Sequence, residues 1–480
     1  MNNQPLKLNY KRTFIIGFAF FGILLMWQVW DSYCSSFLSE SFIKAFFDSS
    51  STLTHKEQAE QVQWLVGIMM AIDNLAALIM MPIFGRLSDK TNTKIGKRMP
   101  YILIGTFVCA AVFPFIPLAF HYNNLAALIV LMVITVFFAM MYRNPAVALM
   151  PDLTPKPLRS KANGIINIMG YVGGAVPTLL GMFLVLSDYL GTSDKPKFPG
   201  QFNQLWVIEV PFLLASVLMV VSVVVLFLLI KENKIKEEIK DDLIRGEQEA
   251  EIQDSVEHDD EKPMSKANKT MLFLILIAEF FWFMADNGIS TFMSNYTIYH
   301  LQASTGSNSL NTIIGGLMSV AGFAIAGFVV KKFGRKWTLT GGLALTILAY
   351  AVWLILSLLL KPDGSGSFPF YIYIIFAFKG FGMALVHVNS FPMVVELCSA
   401  KKIGLFTGYY YASSMLAQTI TPCTLGLLLL TPNFDFGLLP LYALVCVIIS
   451  FVLFLFVKNV RLNKTKDEVK VGIEALGGDD

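Results

Sequence analysis

The chain has 480 residues, a formal net charge of +3 and 55% hydrophobic residues, and only 15% of its residues are charged. Soluble globular proteins carry roughly 25% charged residues, so this composition excludes a water-soluble fold. The five cysteines are scattered and form no CxxC pair, which argues against a disulfide framework or a metal site.

Apolar runs of about 20 residues recur along the whole chain, and a helix of that length crosses the hydrocarbon core of a bilayer. The first run follows Lys11-Arg12 as a signal peptide would, but its length and polar far end predict an uncleaved span. The pattern predicts an all-α polytopic membrane protein with twelve transmembrane helices in two six-helix bundles. The spans lie near residues 13–36, 62–84, 100–120, 124–149, 163–186, 204–230, 271–297, 311–330, 337–360, 368–395, 403–429 and 436–457.

Charged segments divide the chain into two halves. The predicted domains are an N-terminal bundle, a linker, a C-terminal bundle and a tail, at residues 1–230, 231–270, 271–458 and 459–480. The linker carries 13 acidic and 8 basic residues, with Ile235, Ile239 and Leu243 spaced four apart. This spacing is typical of a surface helix, so we interpret the linker as a connector without a binding role.

The distribution of Lys and Arg orients the bundles. Thirty of the 37 basic residues fall on the face that holds both termini, and five fall in the opposite loops. Because basic residues concentrate in cytoplasmic loops, we predict that both termini are cytoplasmic. No organelle signal is recognisable, so a bacterial inner membrane is the default location for this multi-pass cell-membrane protein.

The stretch GRLSDKTNTKIGKRMP, residues 85–100, places five basic residues and one aspartate between two apolar runs, and a weaker copy follows span eight. The matching positions are Gly85, Asp89, Gly96, Lys97 and Arg98 in the first half and Gly327, Lys331, Gly334, Arg335 and Lys336 in the second. Two further pairs are each 244 residues apart, Asp152 with Glu396 and Arg143 with His387. Together these matches predict two related bundles.

Asp89 needs its own explanation within this loop. Topology alone would account for the basic residues but not for the aspartate or for the repeat. We predict that Gly85 lets span two end against its neighbour, and that Asp89 accepts hydrogen bonds from a helix N-terminus or an arginine. Such contacts would make it a latch for one arrangement of the two bundles.

The segment IFGRLSDKTNTKIGKRMPYILIG resembles the signature loop of the major facilitator superfamily, and within it the glycoside–pentoside–hexuronide:cation symporters and related sucrose transporters. NPAVALMPDLTP…RSKANG, residues 144–164, is similar to the end of helix four and the following loop of the sucrose-type branch. The resemblance implies the major facilitator fold, alternating access and a sugar substrate. In that fold, helices one, four, seven and ten line the central cavity.

The residues that the resembled families use for cation coupling are missing. Sodium-coupled melibiose permeases have acidic residues where this chain has Ala77 and Met81, and plant sucrose transporters have one where it has Val136. The resemblance therefore does not supply the coupling cation; we expect H⁺, with Na⁺ as the alternative. GYVGGAVPTLLG, residues 170–181, lacks the GPxxGG of superfamily drug antiporters, which favours uptake by symport.

Seven ionisable residues lie inside the predicted spans, where each costs about 2.5–3.5 kcal/mol on insertion scales. They are Asp31, Asp73, Arg143, Glu279, Asp286, Lys379 and His387. Six of the seven fall on the helices that line the cavity in the resembled fold. A buried structural pair is the alternative for any one of them, but the set as a whole favours a function.

Depths within the membrane, estimated at 1.5 Å per residue, suggest partners. Asp286 and Lys379 both lie at roughly 23 Å, whereas Glu279, Arg143 and His387 group at roughly 10–14 Å. Asp73, at roughly 18 Å, has no basic residue at its own depth. Because a carboxylate without a partner in a low-dielectric site can carry a proton at neutral pH, we predict that Asp73 or Glu279 is the proton carrier. Arg143 and Lys379 would hold carboxylates and set the gate.

Sugar recognition needs hydroxyl-bonding groups beside flat apolar faces. The predicted substrate-binding residues are Trp30, Asp31, Trp282, Asn287, Asn389 and Gln418. The alternatives are that the tryptophans anchor the membrane interface and that the polar side chains bond helix to helix.

These features predict a secondary active transporter, a proton-coupled symporter of a di- or oligosaccharide such as sucrose or maltose. A carrier or exporter of another small solute is the alternative. The chain has no P-loop, HExxH or GxSxG motif and its five histidines are dispersed, so an enzyme or receptor has no support. We expect no cofactor, metal or nucleic acid, and a monomer in the lipid bilayer.

Overall fold

The computed structural model describes residues 6–48, 50–257, 266–360, 366–397, 403–431 and 434–457. The tail predicted at 459–480 lies outside the described residues. The α-helices of the described residues, α1 to α15, are Tyr10–Phe46, His55–Lys90, Met99–Val112, Phe115–His121, Leu125–Asp152, Arg159–Leu180, Leu186–Leu190, Leu205–Leu229, Glu232–Glu238, Lys240–Glu257, Lys266–Asn295, Thr305–Leu359, Phe370–Val395, Ile403–Leu428 and Leu438–Phe456. A π-helical turn, Tyr296–His300, extends α11.

Twelve spans can be counted in the described part of the chain. Nine helical stretches there are long and apolar enough to cross a membrane; one of them combines α3 and α4, and another is α12, which has 55 residues and is long enough to cross twice. The helices α6 and α14 are less apolar, but α6 packs along α1, and α14 packs along α2 and α11. The spans follow the predicted order.

Some helices are longer than the spans predicted for them. The helix α2 begins at His55, well before the predicted start at residue 62, because Thr54 caps it. The Thr54 side chain accepts from the Glu57 backbone N–H at 3.3 Å, and the Glu57 carboxylate accepts from the Thr54 N–H at 2.7 Å. A hydropathy pattern identifies only the part of a helix that lies within the membrane, whereas capping determines where the helix begins.

Spans eight and nine, predicted as 311–330 and 337–360, form one element, α12. Its only break is Gly334, whose φ of 79° and ψ of 164° lie outside the helical region. A positive φ of this size is readily adopted only by glycine, so the chain can turn within the basic loop without further residues.

Close backbone contacts set the spacing of the helices. A Cβ atom on Gly67 would lie 2.1 Å from the Pro422 carbonyl oxygen, and one on Gly426 would lie 2.4 Å from the Gln63 carbonyl oxygen. The helices α2 and α14, one from each half, therefore touch backbone to backbone. Small residues allow this kind of close packing between membrane helices.

The linker is bound to the first half. Its first helix, α9, starts with Glu232, a buried residue whose carboxylate accepts from the backbone N–H groups of Lys97, Arg98 and Met99 at 3.0, 3.0 and 3.3 Å. A carboxylate at this place complements the positive N-terminal end of α3. The predicted surface helix is present as α9 and α10, but the anchoring role of Glu232 was missed.

The two halves are joined at the end of the bundle that holds residues 50–54 and 434–437, which we call the opposite face. The end with residues 85–100 and 331–336 is the basic face. Asn295 Nδ2 donates to Ser39 Oγ and Gln63 Oε1, both at 3.1 Å, and Asn295 Oδ1 accepts from Ser36 Oγ at 2.9 Å. All four side chains are buried, so separating the halves here would break a fully buried polar network.

An ion pair at the opposite face adds to this seam. Lys56 Nζ of the first half lies 2.6 Å from Asp435 Oδ2 of the second. The pKa of Asp435 is held well below its usual value, first by the hydrogen bond with His300 and then by Lys56. Since a lowered pKa keeps the carboxylate charged, this contact stays intact as the pH falls through the mildly acidic range.

Candidate functional site

Two connected chambers lie between the halves. The first chamber, of about 290 Å³, is enclosed mainly by α1, α6, α11, α12 and α13. The second chamber, of about 240 Å³, lies between α1, α2, α5, α11 and α14. Asp31 and Ser290 line both, so the chambers meet at these residues.

The chamber linings differ in character. The first is rich in hydroxyl and amide groups, including Gln28, Ser32, Thr178, Asn308, Asn311 and Thr312, and its cation is Lys379. The second combines charges with amides and one indole: Asp31, Asp73, Arg143, Asp286, Asn74, Asn287, Gln418 and Trp27. Groups that donate and accept hydrogen bonds beside apolar surface suit a hydroxyl-bearing solute.

An ion pair stands at the boundary between the chambers. Lys379 Nζ lies 2.5 Å from Asp286 Oδ1, and both side chains are largely buried. These two residues were predicted from their depths to lie together, and they do so. Gly380, next to Lys379, allows the approach of α13 to α12, because a Cβ there would lie 2.2 Å from the Gly315 carbonyl oxygen.

Two carboxylates of the first half face the second chamber. Asp73 is only 7% exposed, and its Oδ1 accepts from the backbone N–H and the Nδ2 of Asn74 at 2.6 and 2.8 Å. Asp31 lines both chambers and makes no hydrogen bond or ion pair with any residue that the structure describes. Both groups are therefore placed where a solute or a proton could reach them.

Arg143, Glu279 and His387 were predicted to lie at similar depths, but of the three only Arg143 lines the second chamber. Arg143 lines this chamber together with Asp73, and its guanidinium lies 6.0 Å from the ring of Trp27. Depth gives the height of a residue in the membrane but not its position around the bundle. Asp73 was predicted to have no basic residue at its own depth; the structure places Arg143 in the same chamber, although no ion pair within 4 Å joins the two among the described residues.

Glu279 and His387 lie away from the solute space. Glu279 is fully buried on α11 and belongs to the lining of neither chamber. The His387 ring packs edge-on against Trp282 at 4.6 Å. Of the two predicted proton carriers, Asp73 is the one with a place in a chamber.

The predicted substrate-binding residues divide into two groups. Asp31, Asn287 and Gln418 line the chambers. Trp30, Trp282 and Asn389 are fully buried in the helix packing and line neither chamber, which corrects their predicted role. The Asn389 Nδ2 instead donates to the Leu385 carbonyl oxygen of its own helix, at 2.7 Å.

Trp27 and Asn311 line the chambers and were missed. Helical residues four apart share a face, so Trp27, four residues before Asp31, belongs on the chamber side. Trp30 directly precedes Asp31 and points to a different side of α1. This spacing could have identified Trp27, whereas Asn311 at the edge of a predicted span gave no such signal.

The loops of the basic face make the same kind of ion pair in each half. Arg98 Nε lies 2.9 Å from Asp152 Oδ2, and Arg335 Nε lies 2.6 Å from Glu396 Oε1. The two carboxylates are the ones that the 244-residue offset matched. Arg98 also donates to Asp89, as predicted, but both residues belong to the first half. A latch between the halves stays a prediction.

Gly85 and Gly96 of this loop each allow a close contact with a neighbouring segment. The helix α2 continues past Gly85 to Lys90, so the prediction that it ends there was wrong. A Cβ on Gly85 would lie 2.4 Å from Asn144 Nδ2, so this glycine admits α5. Gly96 has a φ of 116° and lies against the Glu232 carboxylate, while Lys97 Nζ reaches Asp152 at 3.0 Å.

Replacing Arg98 with glutamine is expected to destabilise the first half. The Arg98 side chain is 6% exposed and pairs with Asp89 and Asp152; its loss leaves these carboxylates only Lys97, at 3.7 and 3.0 Å, and removes charge-assisted hydrogen bonds worth about 1.5–3 kcal/mol. The midpoint of thermal unfolding in detergent, followed by tryptophan fluorescence, should fall. Arg86→Gln, at an exposed position of the same loop, is the control. Equal shifts for both variants would contradict the assignment.

Comparison with known families identifies this architecture. A family model described as Major Facilitator Superfamily matches residues 29–293 and 271–476. The chain belongs to the major facilitator superfamily. It is therefore a multi-pass membrane transporter rather than an enzyme, and its all-α fold with two six-helix bundles is the major facilitator fold. A search of curated proteins found no match.

Solved structures of several transporters are similar in fold. The inward-open xylose transporter XylE from E. coli is 17% identical, with a TM-score of 0.62 over 96% of this chain and 98% of that one. An auto-inhibited peptide transporter of the POT family is 10% identical, with a TM-score of 0.62 over 95% and 99%. A bacterial homologue of the human lysosomal transporter Spinster, inward-facing and occupied, is 13% identical, with a TM-score of 0.61 over 94% and 97%. At these identities the likeness concerns the fold.

Proposed function

We propose that this transporter is a proton-coupled symporter of a sugar, acting as a monomer by alternating access in the cell membrane. The observation that carries the proposal is the pair of connected chambers. Hydroxyl-bonding groups from both halves meet there with a compact set of charges. Solute and proton would therefore occupy one space, as symport requires.

The sequence resemblance supports the sugar. The loop at residues 85–100 and the segment at 144–164 are similar to those of the glycoside–pentoside–hexuronide:cation symporters and sucrose transporters. The chambers suit such a solute, because sugar hydroxyls both donate and accept hydrogen bonds and sugar rings have apolar faces. Trp27 provides a flat apolar surface in the second chamber.

Asp73 is the proposed proton carrier, with Asp31 beside it in the same chamber. Asp73 accepts hydrogen bonds from its neighbour Asn74 and forms no ion pair within the described residues. Arg143 shares the chamber without closing an ion pair, so the carboxyl group is free to exchange a proton. A sodium ion at these oxygens is the alternative coupling cation.

The distribution of basic residues supports an orientation with the basic face and both termini in the cytoplasm. The contacts of Asn295 and Lys56 close the opposite face. The structure would then represent an inward-facing state. Transport would require these contacts to break while the basic face closes.

The test is uptake of labelled sucrose, maltose and melibiose into proteoliposomes under an imposed pH gradient, with and without sodium. Accumulation that a protonophore abolishes is the expected result. Accumulation that requires sodium would replace the proton as coupling ion and leave the sugar assignment standing. Absence of flux for every sugar would overturn the proposal in favour of a carrier of another small solute.

A further inference from the structure

The first chamber contains a buried acceptor that the protein itself does not satisfy. Asn311 on α12 is 1% exposed and lines this chamber, and its Oδ1 has no hydrogen-bond partner among the described residues. Buried polar atoms are almost always paired, and each exception calls for an explanation. A ligand that donates a hydrogen bond inside the chamber is the explanation that the location suggests.

The local sequence places Asn311 on a polar face of α12. Asn308, Asn311, Thr312 and Gly315 follow the i, i+3, i+4, i+7 spacing, so they share one side of the helix. Gly315 packs against Gly380 of α13, which fixes the distance between the two helices. The polar face of α12 therefore lines the first chamber together with Lys379.

The size of the chambers indicates how much ligand they hold. Small-molecule sites usually measure about 300–1,000 Å³. At about 290 and 240 Å³, each chamber lies below that range, whereas the two together fall within it. They join at Asp31 and Ser290, so a ligand with two rings can place one ring in each.

The charges indicate a neutral ligand. The first chamber has Lys379 as its only lining cation among the described residues, and Asp286 already pairs with it. In the second chamber Arg143 faces Asp31 and Asp73. Within the described chamber linings every cation has an acidic residue beside it, so the carboxylate of a uronic acid would lack a counter-charge.

We propose that Asn311 determines specificity by accepting a hydroxyl hydrogen bond from the second ring of a neutral two-ring glycoside that spans both chambers. This inference rests on the proposed sugar transport and adds the size of the substrate, its charge and the residue that selects it. Single-ring sugars would bind in the second chamber and would not reach Asn311.

The test compares Asn311→Leu with Asn389→Leu in purified protein. Asn389 is a matched control, because its Oδ1 is also buried and unsatisfied within the described residues but lines neither chamber. Affinities are measured by calorimetry for sucrose, maltose and melibiose and for glucose and galactose. Asn311→Leu should weaken binding of the best disaccharide by about 10- to 100-fold and leave the monosaccharides unchanged. Asn389→Leu should keep the ratio between disaccharide and monosaccharide affinities.

A second measurement needs no variant that could misfold. Monodeoxy derivatives of the best disaccharide are tested on the wild-type protein, where removal of one hydroxyl from one ring should lower affinity by a similar factor. Equal weakening of mono- and disaccharides by Asn311→Leu, or no hydroxyl dependence in that ring, would overturn the inference while sugar transport stands. If no sugar binds the wild-type protein, the proposed function itself fails.

Discussion

Asp73→Asn is expected to abolish sugar accumulation driven by a pH gradient while leaving sugar exchange intact. Asparagine has nearly the shape of a protonated aspartate, so the chamber keeps its form and the halves can still alternate. A side chain that cannot release a proton removes the link between proton movement and solute movement. Without that link, a gradient of protons can no longer concentrate the sugar.

Two assays on the same proteoliposomes separate these effects. Active uptake is measured under an imposed pH gradient, and counterflow is measured with equal pH on both sides and unlabelled sugar inside. The expected result is loss of the first with the second close to wild type. Glu279→Gln is the control, because Glu279 lies outside both chambers. If Asp73→Asn still accumulates sugar fully, Asp73 is not the carrier, and Asp31→Asn becomes the variant to examine.

The sequence was sufficient to predict the architecture, because the membrane constrains both the length of the apolar runs and the placement of the basic residues. Twelve spans, the surface helices of the linker and the repeat of the two halves all follow from the lengths of the apolar runs, the basic loops and matching positions 238 to 244 residues apart. The repeat even extends to contacts, since Lys97 with Asp152 matches Arg335 with Glu396. Helix ends were less accessible, since α2 is set by the Thr54 cap and passes through Gly85.

The prediction of the site rested on the depth of each residue in the membrane. Depth along the helix correctly brought Asp286 and Lys379 together, because height in the membrane depends on residue count. The prediction did not use rotation around the helix axis, so Trp30 was chosen although the four-residue spacing to Asp31 favours Trp27, and Arg143 was grouped away from Asp73. The role of Glu232 was missed because its partners are backbone N–H groups, which almost every residue has and which the sequence therefore does not distinguish.

Lys379→Gln is expected to have the largest effect on folding. Asp286 would lose its only ion-pair partner among the described residues, whether it then stays charged or takes up a proton; breaking a fully buried pair costs about 3–5 kcal/mol, and the 28% exposure of the Asp286 side chain lowers that cost. Asp286→Asn should be similarly damaging, because it leaves the ammonium group unpaired. The folded yield after membrane extraction and the thermal midpoint in detergent both measure this loss.

The double variant Asp286→Asn/Lys379→Gln tests whether charge balance is the cause. Neutral amides in both places can hydrogen-bond each other, so the double variant should recover most of the stability that each single change loses. Lys332→Gln, an exchange of the same type at an exposed position of the basic-face loop, should change little. A double variant as unstable as the single ones would show that the pair is not held by mutual neutralisation. A double variant that folds well but carries no sugar would instead assign the pair a direct part in transport, in keeping with its place between the two chambers.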